Sequence, residues 1–128
     1  MKRIKSKNLK NLKKNGFVSV VIVTWNNEKD IQECLQTIST QDYDNYNVIV
    51  VDNNSSDNTT IIIEREFPNV ILLKQKENLY LTGGNNFGIN YAFENFDPEY
   101  ILVLNPDTKV EKTLISTLIR KIGNKGNV

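Results

Sequence analysis

Two aspartates and a short set of amides and hydroxyls carry the chemistry this chain can offer. Asp52 ends the apolar run Asn47-Val48-Ile49-Val50-Val51, and Asp107 follows Leu102-Val103-Leu104 in the turn Asn105-Pro106-Asp107-Thr108. A third polar cluster, Thr24-Trp25-Asn26-Asn27-Glu28, closes the run that begins at Phe17. A carboxylate fixed at a strand end accepts hydrogen bonds from a nucleobase N–H or a ribose hydroxyl. Thr24 and Asn26 offer further partners around a planar base. Asp107 suits a hard divalent cation, because magnesium sites use one or two carboxylates completed by phosphate oxygens and water. Asn105 would add a neutral oxygen or orient a coordinated water. A base held at one end and a metal-bridged pyrophosphate at the other describe a nucleotide-sugar pocket. Taken singly, each aspartate also reads as an ordinary turn former. The assignment therefore depends on the three clusters lying together.

Composition removes several other chemistries. The sequence has no histidine, so Ser-His-Asp hydrolysis, Cys-His nucleophiles and histidine-ligated zinc or haem are excluded. The lone Cys34 has no partner for an internal disulfide and reads as a small buried residue. A net charge of +1 argues against a dedicated nucleic-acid binder. A length of 128 residues at 39% hydrophobic content fits one domain with a modest core. Residues 1–15 differ from the rest, with Lys2, Arg3, Lys5, Lys7, Lys10, Lys13 and Lys14 around Ile4, Leu9 and Leu12. No secretory apolar centre is present there. The segment reads either as a solvated, flexible basic tail or as a weak contact with anionic lipid headgroups, at about 1 kcal/mol per lysine. No run of about 18 apolar residues exists for a membrane span.

The elements that must position these groups follow from periodicity. Phe17–Thr24 is a near-continuous β-branched run, as expected of a strand covered on both faces. Asn27 is placed to cap a helix whose Ile31, Cys34, Leu35 and Ile38 share one face. Asn47–Asp52 is a second strand, followed by the polar turn Asn53-Asn54-Ser55-Ser56-Asp57 and a short helix through Ile63 and Phe67. Val70–Leu73 is a third strand. Thr82 precedes a helix with Ile89, Ala92, Phe93 and Phe96 on one face, and Tyr100–Leu104 is a fourth strand. Ile115, Leu118, Ile119 and Ile122 mark a last helix, with Gly123 as its stop.

Alternating buried strands and amphipathic helices predict an α/β/α sandwich with a mostly parallel sheet. Ligands of such sheets bind beyond the carboxyl ends of the strands, near the switch in strand order. All three polar clusters then open on the same edge. The segment Gly83-Gly84-Asn85-Asn86-Phe87-Gly88 has two readings. Its glycines expose backbone N–H groups to an anion, or Gly84 and Gly88 let the helix pack tightly on the sheet. It is not the dinucleotide fingerprint, which would follow the first strand directly.

Val20–Asn27, Val50–Asp57, Asn78–Gly88 and Leu104–Thr108 together resemble the family 2 glycosyltransferases, over about Val18 to Ile122. The nearest subgroup is the rhamnosyltransferase-like enzymes of surface polysaccharide assembly, which share the Asn-Pro-Asp form at the metal motif. The resemblance implies a GT-A fold, a Rossmann-like nucleotide-binding domain spanning residues 16–128. Thr24, Asn26 and Glu28 would then line the base and ribose pocket, with Asp52 holding the base, and Trp25 and Asn54 would also bind the donor. Gly84, Asn85 and Asn86 would meet the donor, and Asp107 with Asn105 would hold Mg²⁺ or Mn²⁺. The implied donor is a UDP- or dTDP-linked sugar, and the acceptor is a glycan or lipid-linked glycan. The setting would be cytoplasmic, with a peripheral contact at the inner face of the membrane through the basic N-terminus. An inverting transferase needs a general base for the acceptor hydroxyl, and the family draws it from downstream of the metal motif. No candidate is evident up to Val128, since Glu111 is explained by its place in the first turn of a helix. The expectation is a donor-binding half, incomplete at its C-terminus, from a truncated or split enzyme. The alternative is a non-catalytic nucleotide-sugar-binding or partner module of a split enzyme. A nucleotidyltransferase would need a glycine-rich basic loop after the first strand, which Thr24–Glu28 lacks.

Overall fold

The structure is a computed structural model, and it describes residues 15–124. The expected basic tail, residues 1–14 of it, lies outside them. Among the described residues four strands alternate with four helices: β1 Val18–Thr24, α1 Ile31–Ile38, β2 Tyr46–Asp52, α2 Thr59–Glu66, β3 Ile71–Lys74, α3 Tyr80–Asn95, β4 Tyr100–Leu104 and α4 Leu114–Asn124. The sheet is wholly parallel in the order β3-β2-β1-β4. Strand order thus reverses at β1. The chain steps outward through β2 and β3, then returns to lay β4 on the other side of β1. The return crossover, α3, takes the opposite face of the sheet from α1 and α2, as right-handed connections require.

Every residue of β1 is buried, which explains its unbroken β-branched character. Val18, Val20, Ile22, Val48 and Val50 pack on one face against Ile31, Cys34, Leu35 and Ile38 of α1, Ile63 of α2 and Ile115 of α4. Each fully buried aliphatic side chain contributes about 1.5–3 kcal/mol. The predicted α1 stripe is therefore the one that forms the core. The other face is thinner, with Val23, Ile49 and Val51 beneath Ala92 of α3.

Four expectations are corrected here. α3 begins at Tyr80, so Thr82 lies within its first turn and does not precede it. Its buried stripe is Gly84, Gly88 and Ala92, while Phe93 stays 46% exposed. A Cβ on Gly88 would stand 2.6 Å from Val21 Cγ1, and one on Gly84 2.7 Å from Val23 Cγ1. Closeness of approach, not aromatic bulk, seats this helix, and the helical cost of about 1 kcal/mol per glycine is offset by that contact. Gly123 is a residue of α4 and does not stop it. Asn27 does not cap α1 with its side chain. The preceding position is Asp30, without a side-chain cap, and the Asn27 amide oxygen turns back to accept the Trp25 N–H at 2.7 Å. The Asn27 carbonyl instead accepts the Ile31 N–H at 2.9 Å.

Candidate functional site

In register, Thr24 lies opposite Asp52 and Ile22 opposite Leu104. β1 and β2 thus end together, and β4 ends two residues lower. The turns after all three open at the carboxyl edge. From β2 to β4 is two strand spacings, about 10 Å.

The β1–β2 end is a closed hydrogen-bond network. Asp52 is 1% exposed, and Thr24 beside it is buried. Thr24 Oγ1 donates to Asp52 Oδ1 at 2.6 Å, and Ser55 Oγ donates to the same oxygen at 2.7 Å. The Ser55 N–H donates to Asp52 Oδ2 at 2.9 Å. Of about four lone-pair directions on a carboxylate, three are already used by the chain. Ser55 Oγ also accepts the Asn26 N–H at 2.8 Å, so one hydroxyl joins the two turns. A second relay runs through Thr59, whose Oγ1 accepts the Asn27 N–H and donates to Asp57 Oδ1.

Asn26 and Glu28 belong to the same lock. Asn26 has φ of 53° and uses its side-chain oxygen to accept the Ser56 N–H at 2.8 Å. Asparagine enters this left-handed region more readily than most residues. Glu28 accepts the Asn58 N–H at 2.9 Å, and its own N–H donates to Asp57 Oδ2 at 3.1 Å. Asn54 is also left-handed, with φ of 64°, and is exposed. Trp25 projects from the lock, its side chain 54% exposed. Burial pushes the Asp57 carboxyl up, but the bonds from Thr59 and Glu28 outweigh it and hold it below the ordinary carboxylate range.

The β4 end is built differently. The Asn105 carbonyl accepts the Cys34 thiol at 3.6 Å and the Thr108 N–H at 3.2 Å. Thr37 Oγ1 accepts the Val110 N–H at 3.1 Å, and Gln41 takes the Ile115 N–H at 2.9 Å. The backbone of the turn is thus strapped onto α1 and its C-terminal extension. Burial raises the Cys34 thiol to about 11, which keeps it a neutral donor. The Asn105 and Asp107 side chains are exposed, and neither joins these hydrogen bonds. No cluster of three or more metal-ligating side chains occurs among those residues. One exposed carboxylate beside an amide oxygen still fits magnesium or manganese when phosphate oxygens and water complete the shell.

α3 supplies a third side. Gly84 is buried against Val23, as packing requires, and Asn86 is exposed. Asn85 is half-buried, and its Oδ1 is enclosed without a hydrogen-bond partner. Asn53 stands outside the set chosen from sequence. It is 1% exposed, accepts the Leu79 N–H at 3.2 Å and donates to the Tyr80 carbonyl at 3.1 Å. A run of amides after a strand signals a polar turn, but not which member is turned inward. Thr24, Asn26, Glu28 and Asp52 are therefore joined in one network, while Asn105 and Asp107 stand apart beyond β4.

Comparison with known proteins follows this geometry. The pattern that defines the family described as Glycosyl transferase family 2 matches residues 19–128. The chain belongs to this family. It is 30% identical over 107 residues to the glycosyltransferase GlyA of Streptococcus pneumoniae, covering 82% of this chain and 15% of that protein. The S. pneumoniae glycosyltransferase GlyG is 31% identical over 112 residues, covering 85% of this chain and 36% of GlyG. Among solved structures, Staphylococcus aureus TarS 1–349 in complex with UDP-GlcNAc superposes with a TM-score of 0.75 at 26% identity. That match covers 84% of this chain and 31% of TarS 1–349. The family 2 chain thus has the GT-A architecture and spans about a third or less of these relatives. No helix among the described residues is long and apolar enough to cross a membrane.

Proposed function

We propose that this family 2 chain binds a nucleoside-diphosphate sugar across its carboxyl edge, as the donor end of an inverting glycosyltransferase. The observation that carries the reading is the Thr24–Asp52–Ser55–Asn26 network at the ends of β1 and β2, with the exposed Asp107 in the turn after β4, a strand about 10 Å from β2 on the other side of β1. That spacing suits a base held at β2 and a diphosphate held at β4. Asp52 uses its one remaining lone-pair direction for a base N–H, and the exposed Trp25 indole covers the base. Asp107 and Asn105 hold the divalent cation, which would neutralise charge on the diphosphate as it leaves. Asn85 turns its enclosed amide oxygen to a donor hydroxyl. UDP is the favoured nucleotide, because TarS, of the same family and architecture, is seen with UDP-GlcNAc; dTDP is the alternative.

The general base that deprotonates the acceptor hydroxyl comes from outside the described residues. Between Asp107 and Asn124 the only carboxylate is Glu111, which precedes α4 and does not lie in its first turn as expected. The acceptor is a glycan or lipid-linked glycan of a surface polymer, in keeping with the rhamnosyltransferase-like form of Asn105-Pro106-Asp107. Titration calorimetry with UDP and dTDP, with and without Mn²⁺, tests the reading. Binding of at least one nucleotide, strengthened by Mn²⁺, is expected. No heat with either nucleotide in either condition would sink it.

A further inference from the structure

Tyr80, the first residue of α3, combines a strained backbone with an exposed ring. Its φ is 62°, a region that bulky residues enter only at a cost and that glycine occupies freely. The residue is nevertheless 75% exposed, so burial does little to offset the strain. The backbone is held from three directions. Buried Asn53 grips the Leu79 N–H and the Tyr80 carbonyl, at 3.2 and 3.1 Å. Asn78 Oδ1 accepts the Tyr80 N–H at 2.7 Å. One turn on, a Cβ at Gly84 would meet Val23 at 2.7 Å and Asn53 Nδ2 at 3.3 Å, so the helix cannot shift toward the sheet. A glycine at position 80 would meet every one of these constraints without strain. At 75% exposure the residue gains little burial to offset this strain, and strain kept at an exposed aromatic points toward a role in binding.

The position narrows that ligand. Thr24 and Asp52 continue the face of the sheet occupied by α1 and α2, whereas Asn53 and α3 lie on the other face. Tyr80 thus flanks the edge opposite the base lock. Leu81 beside it is 59% exposed. A phenol presents an apolar face with a hydroxyl at its rim. A hexopyranose is its complement, with a C–H face that stacks and hydroxyls at its edge. We propose that Tyr80 is a stacking platform for a hexopyranose ring on the α3 flank of the carboxyl edge. The proposal rests on the donor-site reading above. The ring that stacks belongs either to the donor's sugar or to the acceptor glycan.

Calorimetry of the full chain with UDP, UDP-GlcNAc and chitotetraose, for wild type, Tyr80→Gly and Tyr80→Phe, separates these. Tyr80→Gly is expected to melt at or above the wild-type temperature, since it relieves the strain. Its UDP affinity should match wild type. Its affinity for UDP-GlcNAc should fall about three- to tenfold if the donor sugar stacks, or its affinity for chitotetraose by as much if the acceptor does. Tyr80→Phe, which keeps the ring, should restore the lost affinity. Unchanged affinity of Tyr80→Gly for both sugar probes, with UDP still binding, overturns this proposal alone. A lower melting temperature with loss of all three probes overturns it too, by making the ring structural. Absence of UDP binding in wild type overturns both this proposal and the donor-site reading.

Discussion

The two ends of the carboxyl edge solve opposite problems. At the β1–β2 end the polar side chains are bonded to one another. Asp52, Ser55, Asn26, Thr59 and Asp57 form a lattice across two turns before any ligand arrives. At the β4 end Cys34 and Thr37 of α1 hydrogen-bond the backbone of the turn, an exposed Glu33–Lys109 ion pair adds a loose tie, and the Asn105 and Asp107 side chains are left exposed. A surface that recognises a flat, rigid base gains from being fixed in advance. A cation that brings its own water and phosphate oxygens needs only a charge at the right place. Stability should therefore concentrate at one end and ligand response at the other.

The contrast can be broken most forcefully at Asp52. Replacing it by Ala strands the Thr24 hydroxyl, the Ser55 hydroxyl and the Ser55 N–H without their acceptor. The expected loss is about 3 kcal/mol of folding stability, read by urea denaturation. A loss under about 1 kcal/mol would mean that the lattice is ornamental.

A smaller effect comes from acid. Asp57 titrates below its ordinary range in the folded chain. Its folded pKa is depressed, so its contribution is full above the unfolded value and fades as pH falls through the folded one. Melting followed downward from neutrality should show that loss only at the acid end, and Asp57→Asn should flatten it. An equal acid response in Asp57→Asn would remove Asp57 from the lock.

The smallest stability change is expected at the other corner. Asp107→Ala removes an exposed side chain, so stability should stay within about 0.5 kcal/mol of wild type.

Much of this was legible in the sequence, for physical reasons that differ by element. The β-branched runs of β1 and β2 and the Ile31, Cys34, Leu35, Ile38 stripe identify themselves, because a residue buried on a regular element repeats its signal. Parallel connectivity then brings the turns after β1, β2 and β4 to one edge. α3 was legible in existence, and its seating only as one of two readings of Gly84 and Gly88, the tight-packing one that the structure bears out. Periodicity counts bulky residues, and this helix is seated by the absence of side chains at Gly84 and Gly88. The roles within the polar turns were also hidden. Asn27 and Asn53 are chemically alike, yet one bonds back to its own turn and the other is buried under α3. That difference depends on long-range packing, which local composition does not carry. Tyr80 gave no signal at all, since a left-handed φ at a tyrosine is imposed by what surrounds it.

The most direct test of the division between the two ends is UDP titration with and without Mn²⁺, on wild type and Asp107→Ala side by side. The account predicts that wild type binds UDP more tightly with Mn²⁺. Asp107→Ala should keep the metal-free affinity and lose the enhancement. An Asp107→Ala chain whose UDP affinity still rises with Mn²⁺ as in wild type would contradict it.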